Sequence, residues 1–253
     1  MTDIQKLKTD LLSFRLHYLA ENLEDICQRA EQANTSHQEF LDHIVRLETV
    51  EKSRRSTERR LREASIGKFK PMDQFDWRWP EQIDKARIEQ IMKLGFIKES
   101  ANLILAGPQG VGKTMLSRNI AWKAVMSGYT VRFTTTAKMV GDLGSAKQGT
   151  IFESRLARYT KPQLLVLDEV GYLSFDCQAA DLLFEVVSRR YEAGSIVLTT
   201  NMAFKDWDKV FPGAACLTAM IDRLTHHCDI LTIQGKSFRH KESSERNSSK
   251  KAP

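Results

Sequence analysis

Residues 101–114 read Ala-Asn-Leu-Ile-Leu-Ala-Gly-Pro-Gln-Gly-Val-Gly-Lys-Thr. A short apolar run at 103–106 enters a glycine-rich turn at 107–112 and leaves it through Lys113 and Thr114 into a stretch with helical periodicity. Every fixed position of the phosphate-cradling pattern G-x-x-x-x-G-K-[ST] is filled, with a strand before it and a helix after it. Glycines there let successive backbone N–H groups turn inward around a phosphate, and the following helix presents its positive N-terminal end. The nucleotide-binding residues expected from the pattern are Gly107, Pro108, Gln109, Gly110, Val111, Gly112, Lys113, Thr114 and Met115. Lys113 is expected to reach the β- and γ-phosphates, and Thr114 to hold Mg²⁺.

Downstream, short β-branched or leucine-rich runs alternate with amphipathic stretches. Strands are expected at 103–106, 131–135, 164–167, 196–200 and 230–233, and helices at 115–126, 138–143, 152–159, 178–191 and 217–228. Five apolar strands interleaved with helices predict an α/β fold whose parallel sheet is covered on both faces, with ligands beyond the strands' C-terminal ends. The strand Leu-Leu-Val-Leu at 164–167 delivers Asp168 and Glu169 to that edge. Asp168 suits the Mg²⁺ shell, and Glu169 suits orienting and deprotonating an attacking water. The pair argues for hydrolysis rather than transfer to a small molecule, and so against a P-loop kinase. It also argues, with the filled P-loop, against a DNA binder with a degenerate site. Asn201, closing Leu-Thr-Thr-Asn at 198–201, is the candidate for holding the water or γ-phosphate; a turn-forming Asn after a strand is the plain alternative.

The N-terminal part differs in kind. Apolar residues from Ile4 to Cys27 recur at spacings of three and four, the mark of one helix. A second helix opens at Ser36 with Glu39 as a capping box and places Phe40, Ile44, Leu47 and Val50 on an inner face. The chain then becomes strongly charged, with Arg54, Arg55, Arg59, Arg60 and Arg62 on helix-permissive residues. Residues 51–70 carry a basic surplus of five and residues 236–253 a surplus of four, against a net charge of +6, so the rest of the chain is mildly acidic. Two basic patches on an acidic body suggest a polyanionic partner. For the arginine run, contact with a DNA phosphate backbone stands beside a solvated helical spacer. Nothing in it reads bases.

Residues 66–80, broken by Gly67, Pro71 and Pro80, read as a linker, with Trp77 and Trp79 either pinning it to a domain surface or covering a nucleotide base. A helix is expected over 81–95, stopped by Gly95. The domain reading is a helical N-terminal assembly or DNA-binding domain at 1–66, a linker at 67–80, an ATPase domain at 81–240 and a disordered basic tail at 241–253. Cys27, Cys177, Cys216 and Cys228 lack metal-site spacing and read as buried small apolar residues. With no membrane-length apolar run and a polar N-terminus, a cytoplasmic protein without membrane contact is expected.

The order Gly-Pro-Gln-Gly-Val-Gly-Lys-Thr, Leu-Val-Leu-Asp-Glu-Val-Gly-Tyr, Leu-Thr-Thr-Asn, Met-Ile-Asp-Arg-Leu and Gly-Lys-Ser-Phe-Arg, spread over about residues 69–239, resembles the IstB/DnaC-like branch of the AAA+ ATPases. Within it the chain is most similar to the IstB-like ATP-binding proteins of IS21-type transposons. The resemblance implies a three-layer P-loop fold with strand order 5-1-4-3-2 after a small helical domain. It also implies Mg²⁺-dependent ATP hydrolysis, stimulated by DNA and by homo-oligomerisation into a ring or helical array on duplex DNA, in the service of an IstA-like transposase. A DnaC-like replicative-helicase loader is the alternative. Arg223, in Ile-Asp-Arg-Leu, matches the branch's arginine that reaches a neighbouring subunit's ATP site; Arg189 and Arg190 are a second pair for cross-subunit contact. Arg239 ends the family's Ser-x-Arg, and the polar residues after it suggest that a C-terminal lid is absent or vestigial.

Overall fold

The apolar runs form five strands, β1 (Asn102–Ala106), β2 (Val131–Thr135), β3 (Leu164–Val170), β4 (Ser195–Thr200) and β5 (Cys228–Thr232). The computed structural model describes residues 3–146, 149–238 and 241. Arg239 and the expected tail beyond residue 241 lie outside them. The strands pair in parallel in the order β2-β3-β4-β1-β5, the expected order read from the other edge. The helices between them are α6 (Lys113–Met126), α7 (Thr136–Gly144), α8 (Thr150–Thr160), α9 (Cys177–Arg190) and α10 (Leu217–Thr225).

Strand side chains alternate between two apolar layers. Leu103, Leu105, Val166 and Val197 pack with Leu116, Ile120 and Ala124 of α6. Ile104, Leu165, Leu167, Ile196 and Leu198 pack with Met139, Leu143, Leu156, Leu183 and Met220 of the other helices. Each fully buried aliphatic side chain contributes about 1.5–3 kcal/mol, so these two layers carry the three-layer fold. Asp176 caps α9 by accepting the Ala179 N–H at 2.8 Å, and Thr135 caps α7 by accepting from Lys138 at 3.3 Å.

Chain contacts divide the molecule into two compact units, Met1–Arg59 and Arg60–Pro253. In the first unit α1 (Asp3–Ser13) and α2 (His17–Gln32) replace the single expected helix. The stop is a left-handed residue, Arg15 at φ 59°, with Leu16 N–H donating back to Leu11 O at 2.9 Å. No glycine marks it, so the stop is invisible in composition. The capping box forms as expected: Ser36 Oγ meets Glu39 Oε2 at 2.6 Å and accepts the Glu39 N–H at 3.3 Å. It opens α3 (His37–Ala64). Val50 is exposed rather than on an inner face. Glu48 is buried instead, accepting the Leu19 N–H at 3.2 Å in the first turn of α2, where a helix has unpaired donors.

In the second unit the boundary falls earlier than the expected 66, because Ala64 and Ile66 are buried in its core. The expected linker is folded onto α6: Arg118 Nη1 donates to Lys68 O at 2.7 Å and Asn119 Nδ2 to Lys70 O at 3.0 Å. The helix expected over 81–95 is shorter, α4 (Lys85–Ile91), and Leu94 rather than Gly95 takes the left-handed turn before α5 (Gly95–Lys98). The cysteines are less buried than expected; all four are free, and Cys177 is exposed on the outward first turn of α9. No helix among the described residues is long and apolar enough to cross a membrane.

Candidate nucleotide-binding site

The glycine-rich turn lies at the C-terminal end of β1 and leads directly into α6, whose N-cap is Gly112 at φ 101°. A Cβ on Gly112 would lie 2.7 Å from the Phe75 ring, and one on Gly110, at φ 78°, would lie 3.1 Å from Ser237 Cα. Both backbone conformation and space therefore require glycine here. Lys113 is buried and donates from Nζ to Gly107 O at 2.6 Å and Pro108 O at 2.7 Å, so its ammonium lies along the inside of the loop. Pro108 and Gln109 are exposed at the tip.

The two carboxylates are separated by a bulge. β3 pairs with β4 through Leu167↔Leu198, then resumes at Val170↔Thr200, so Asp168 and Glu169 together oppose Thr199. Glu169 sits at φ 66°, a left-handed conformation costly for a non-glycine residue. The extra residue lets Asp168 turn inward, only 2% exposed, while Glu169 points out of the sheet. Thr199 ties both down: its Oγ1 donates to Asp168 Oδ1 at 2.6 Å and accepts the Glu169 N–H at 3.0 Å. Thr114 Oγ1 donates to the same Asp168 oxygen at 3.2 Å. A hydroxyl and a carboxylate so close offer the hard oxygen ligands that Mg²⁺ takes.

Above the loop opens a cavity of about 330 Å³. Gly110, Gly112, Thr114, Glu169 and Thr199 form its polar side; Phe75, Trp79 and Phe238 form an aromatic side. The aromatic wall is held from both chain directions, by Phe238 N–H donating to Gly110 O at 2.9 Å and Trp79 Nε1–H donating to Lys236 O at 2.8 Å. Trp79 thus both pins the segment and lines the cavity, whereas Trp77 packs on Phe75 with ring centres 4.8 Å apart. A cradle of backbone donors with aromatic side chains packed beside it offers both an anion site and an apolar surface for a nucleotide.

Sequence reasoning missed Thr199, whose signal was a polar residue at the end of an apolar strand; Phe75, within the aromatic stretch 66–80, and Phe238, within Gly-Lys-Ser-Phe-Arg, lie in stretches the sequence singled out, but neither is named there as a wall of the site. Asn201 follows β4; its Oδ1 is buried with no hydrogen-bond partner among the described residues, an acceptor of the kind that binds a ligand or water. Arg223 lies elsewhere. Near the end of its helix Asn102 Nδ2 donates to Leu224 O at 3.0 Å, placing that turn by the start of β1, at the opposite edge of the sheet from the loop. Arg223 itself bonds Ser188 and lies over the Phe184 ring, 4.7 Å from its centre. Arg190 is 1% exposed and donates to the carbonyls of Tyr159, Thr160, Pro162, Gln163 and Ser195. Burial brings its guanidinium down to about 10, and its bonds tie the end of α8 and the turn after it to the start of β4 within one molecule. Arg189 is ion-paired to Glu153 and Glu185, each at 2.7 Å.

The model of the IstB-like ATP-binding proteins of IS21 elements matches residues 9–246. The chain belongs to this IstB-like family. It is 36% identical over 230 residues to the protein described as ATP-binding in insertion sequence IS5376 of Geobacillus stearothermophilus, covering 90% of this chain and 92% of that one. It is 35% identical to the corresponding IS21 protein of Pseudomonas aeruginosa, covering 94% of this chain and 90% of that one. Among solved structures, DnaI superposes with a TM-score of 0.54 at 18% identity, over 65% of this chain and 90% of that one. AMPPCP-bound DnaA from Aquifex aeolicus superposes with a TM-score of 0.50 at 21% identity, over 70% of this chain and 57% of that one. The fold of this IstB-like protein is that of the AAA+ domains.

Proposed function

We propose that this IstB-like protein is a Mg²⁺-dependent ATPase that assembles on duplex DNA in its ATP-bound form and assists an IstA-like transposase in transposition. The observation that carries the reading is the bulge at Asp168 and Glu169, which sets one carboxylate beneath the phosphate loop and the other at the cavity wall. Thr114 and Asp168 would hold Mg²⁺, which supplies charge neutralisation for the phosphates when bound. Lys113 binds the phosphate chain from inside the loop, and the aromatic wall covers the base. Glu169, anchored through its own N–H, takes the proton of the attacking water, and Asn201 helps to position that water.

Arg223 faces away from its own cavity, so an arginine acting on the γ-phosphate from that position belongs to a neighbouring copy. That makes the assembly a homo-oligomer with the ATP site shared between subunits. On α3, Arg59 and Arg62 are exposed without an ion pair among the described residues, which supports phosphate contact. Arg54 pairs with Glu51 and Glu58, and Arg55 with Glu51 and Glu21, so those two act less freely; Arg60 completes the run. The relatives' description as insertion-sequence proteins favours transposition over helicase loading; the likeness to DnaI is one of fold. ATP turnover measured with and without duplex DNA tests the reading. Turnover should rise on adding DNA and vanish without Mg²⁺; a rate indifferent to DNA would overturn the DNA-coupled part.

A further inference from the structure

The outer edge of the sheet carries a basic surface apart from the nucleotide cavity. A hollow of about 360 Å³ opens beside the first residues of β2 and the turn that leads into β3. Its charged walls are Arg60, Arg132, Arg158 and Lys161, against one carboxylate, Glu63. A second hollow adjoins it along β2, sharing Arg132 and Arg158 and adding Arg118 and Lys138, with Asp142 as its acid. Six cations therefore face two carboxylates along one strand.

Two of these cations are held by neutral acceptors: Arg118 by the Lys68 carbonyl, and Arg132 on β2. Arg132 Nη1 donates to Glu63 O at 3.1 Å and Ser65 Oγ at 2.9 Å, which locks the guanidinium without neutralising it. Asp142 divides its charge between Arg155 at 3.5 Å and Arg158 at 3.8 Å and accepts the Tyr159 hydroxyl at 2.7 Å. Arg158 keeps most of its charge exposed, and Lys161 is exposed with no ion pair among the described residues. A lone small anion would need one hollow. Two adjoining hollows that share their central arginines form a line of positive charge, which fits a chain of phosphates.

Building on the DNA-binding reading above, we propose that the β2 edge of the ATPase unit is a second phosphate-backbone contact for duplex DNA, anchored by Arg158 and Lys161. The contact is electrostatic and indifferent to sequence, since no group in it is set to read bases. The test is the salt dependence of binding of the full chain to a labelled duplex in ATP, for wild type, Arg158→Ala/Lys161→Ala, and Arg158→Lys/Lys161→Arg. Loss of two phosphate contacts flattens the log–log slope by about 1.8 and weakens binding about 30-fold near 0.15 M salt. The charge-preserving pair should behave as wild type, and DNA-free ATP turnover should be unchanged in all three. An unchanged slope in the alanine pair, with wild type binding DNA, overturns the inference and leaves these residues as charges that guard a sheet edge. Failure of the wild type itself to bind DNA overturns the DNA reading and this contact with it.

Discussion

Thr199→Val removes one oxygen and leaves a side chain of nearly the same shape at a site 2% exposed. The lost hydroxyl is the donor to Asp168 Oδ1 at 2.6 Å and the acceptor of Glu169 N–H at 3.0 Å. A hydrogen bond to a charged group is worth about 1.5–3 kcal/mol, and the amide of Glu169 loses its partner as well. Freed of that tie, Glu169 has no reason to hold its left-handed backbone at φ 66°, and the bulge relaxes. If about 2–3 kcal/mol of the loss appears in the transition state, turnover falls about 30- to 150-fold. Nucleotide affinity, set by the phosphate loop, should change far less. Single-turnover hydrolysis beside titration of a fluorescent ATP analogue separates the two. Thr199→Ser, which keeps the hydroxyl, should stay close to wild type. Equal losses in the serine and valine variants, or full turnover in valine, would refute the positioning role.

Two further outcomes are expected. Glu51, held at about 2 by hydrogen bonds from Arg54 and Arg55, is ionised more readily in the folded helix than in the unfolded chain; its contribution is present above about 4.5 and is lost as pH falls toward 2. The acid-induced loss of helical circular dichroism should therefore be less steep in Glu51→Gln between those pH values, and an identical profile would count against the ion pairs. Second, Glu169→Gln and Arg223→Ala proteins should each be inactive, while an equimolar mixture recovers roughly a quarter of wild-type turnover if subunits pair at random across a shared site. No recovery on mixing would remove Arg223 from the neighbour's site.

The sheet was legible because its signal is local. Apolar runs of strand length between Gly-rich turns, and a complete phosphate-loop pattern, need only neighbours in sequence to be read. Asp168 and Glu169 were legible for the same reason, but the bulge that gives them different surroundings was not. It depends on the register of β3 against β4, and no residue type announces it. Thr199, Phe75 and Phe238 share that character, each meaningful only through a partner far away in the chain. The interrupted first helix and the turn at Leu94 were hidden because a non-glycine residue adopts the left-handed stop. Arg190 read as a cross-subunit cation because its five carbonyl partners, at the end of α8, the turn after it and the start of β4, are brought together only by the fold.

In the proposed cycle, ATP held on the phosphate loop stabilises assembly on DNA and Glu169 ends it by hydrolysis. Trapping tests it most directly: Glu169→Gln, which keeps the side chain's shape but removes the base, is mixed with duplex DNA and Mg²⁺ in ATP or in ADP, and the complex is followed by sedimentation. Turnover about a hundredfold or more below wild type is expected for loss of a general base, together with a long-lived oligomeric DNA complex in ATP and none in ADP. A variant that hydrolyses ATP at the wild-type rate, or that binds DNA equally in ATP and ADP, would contradict the account.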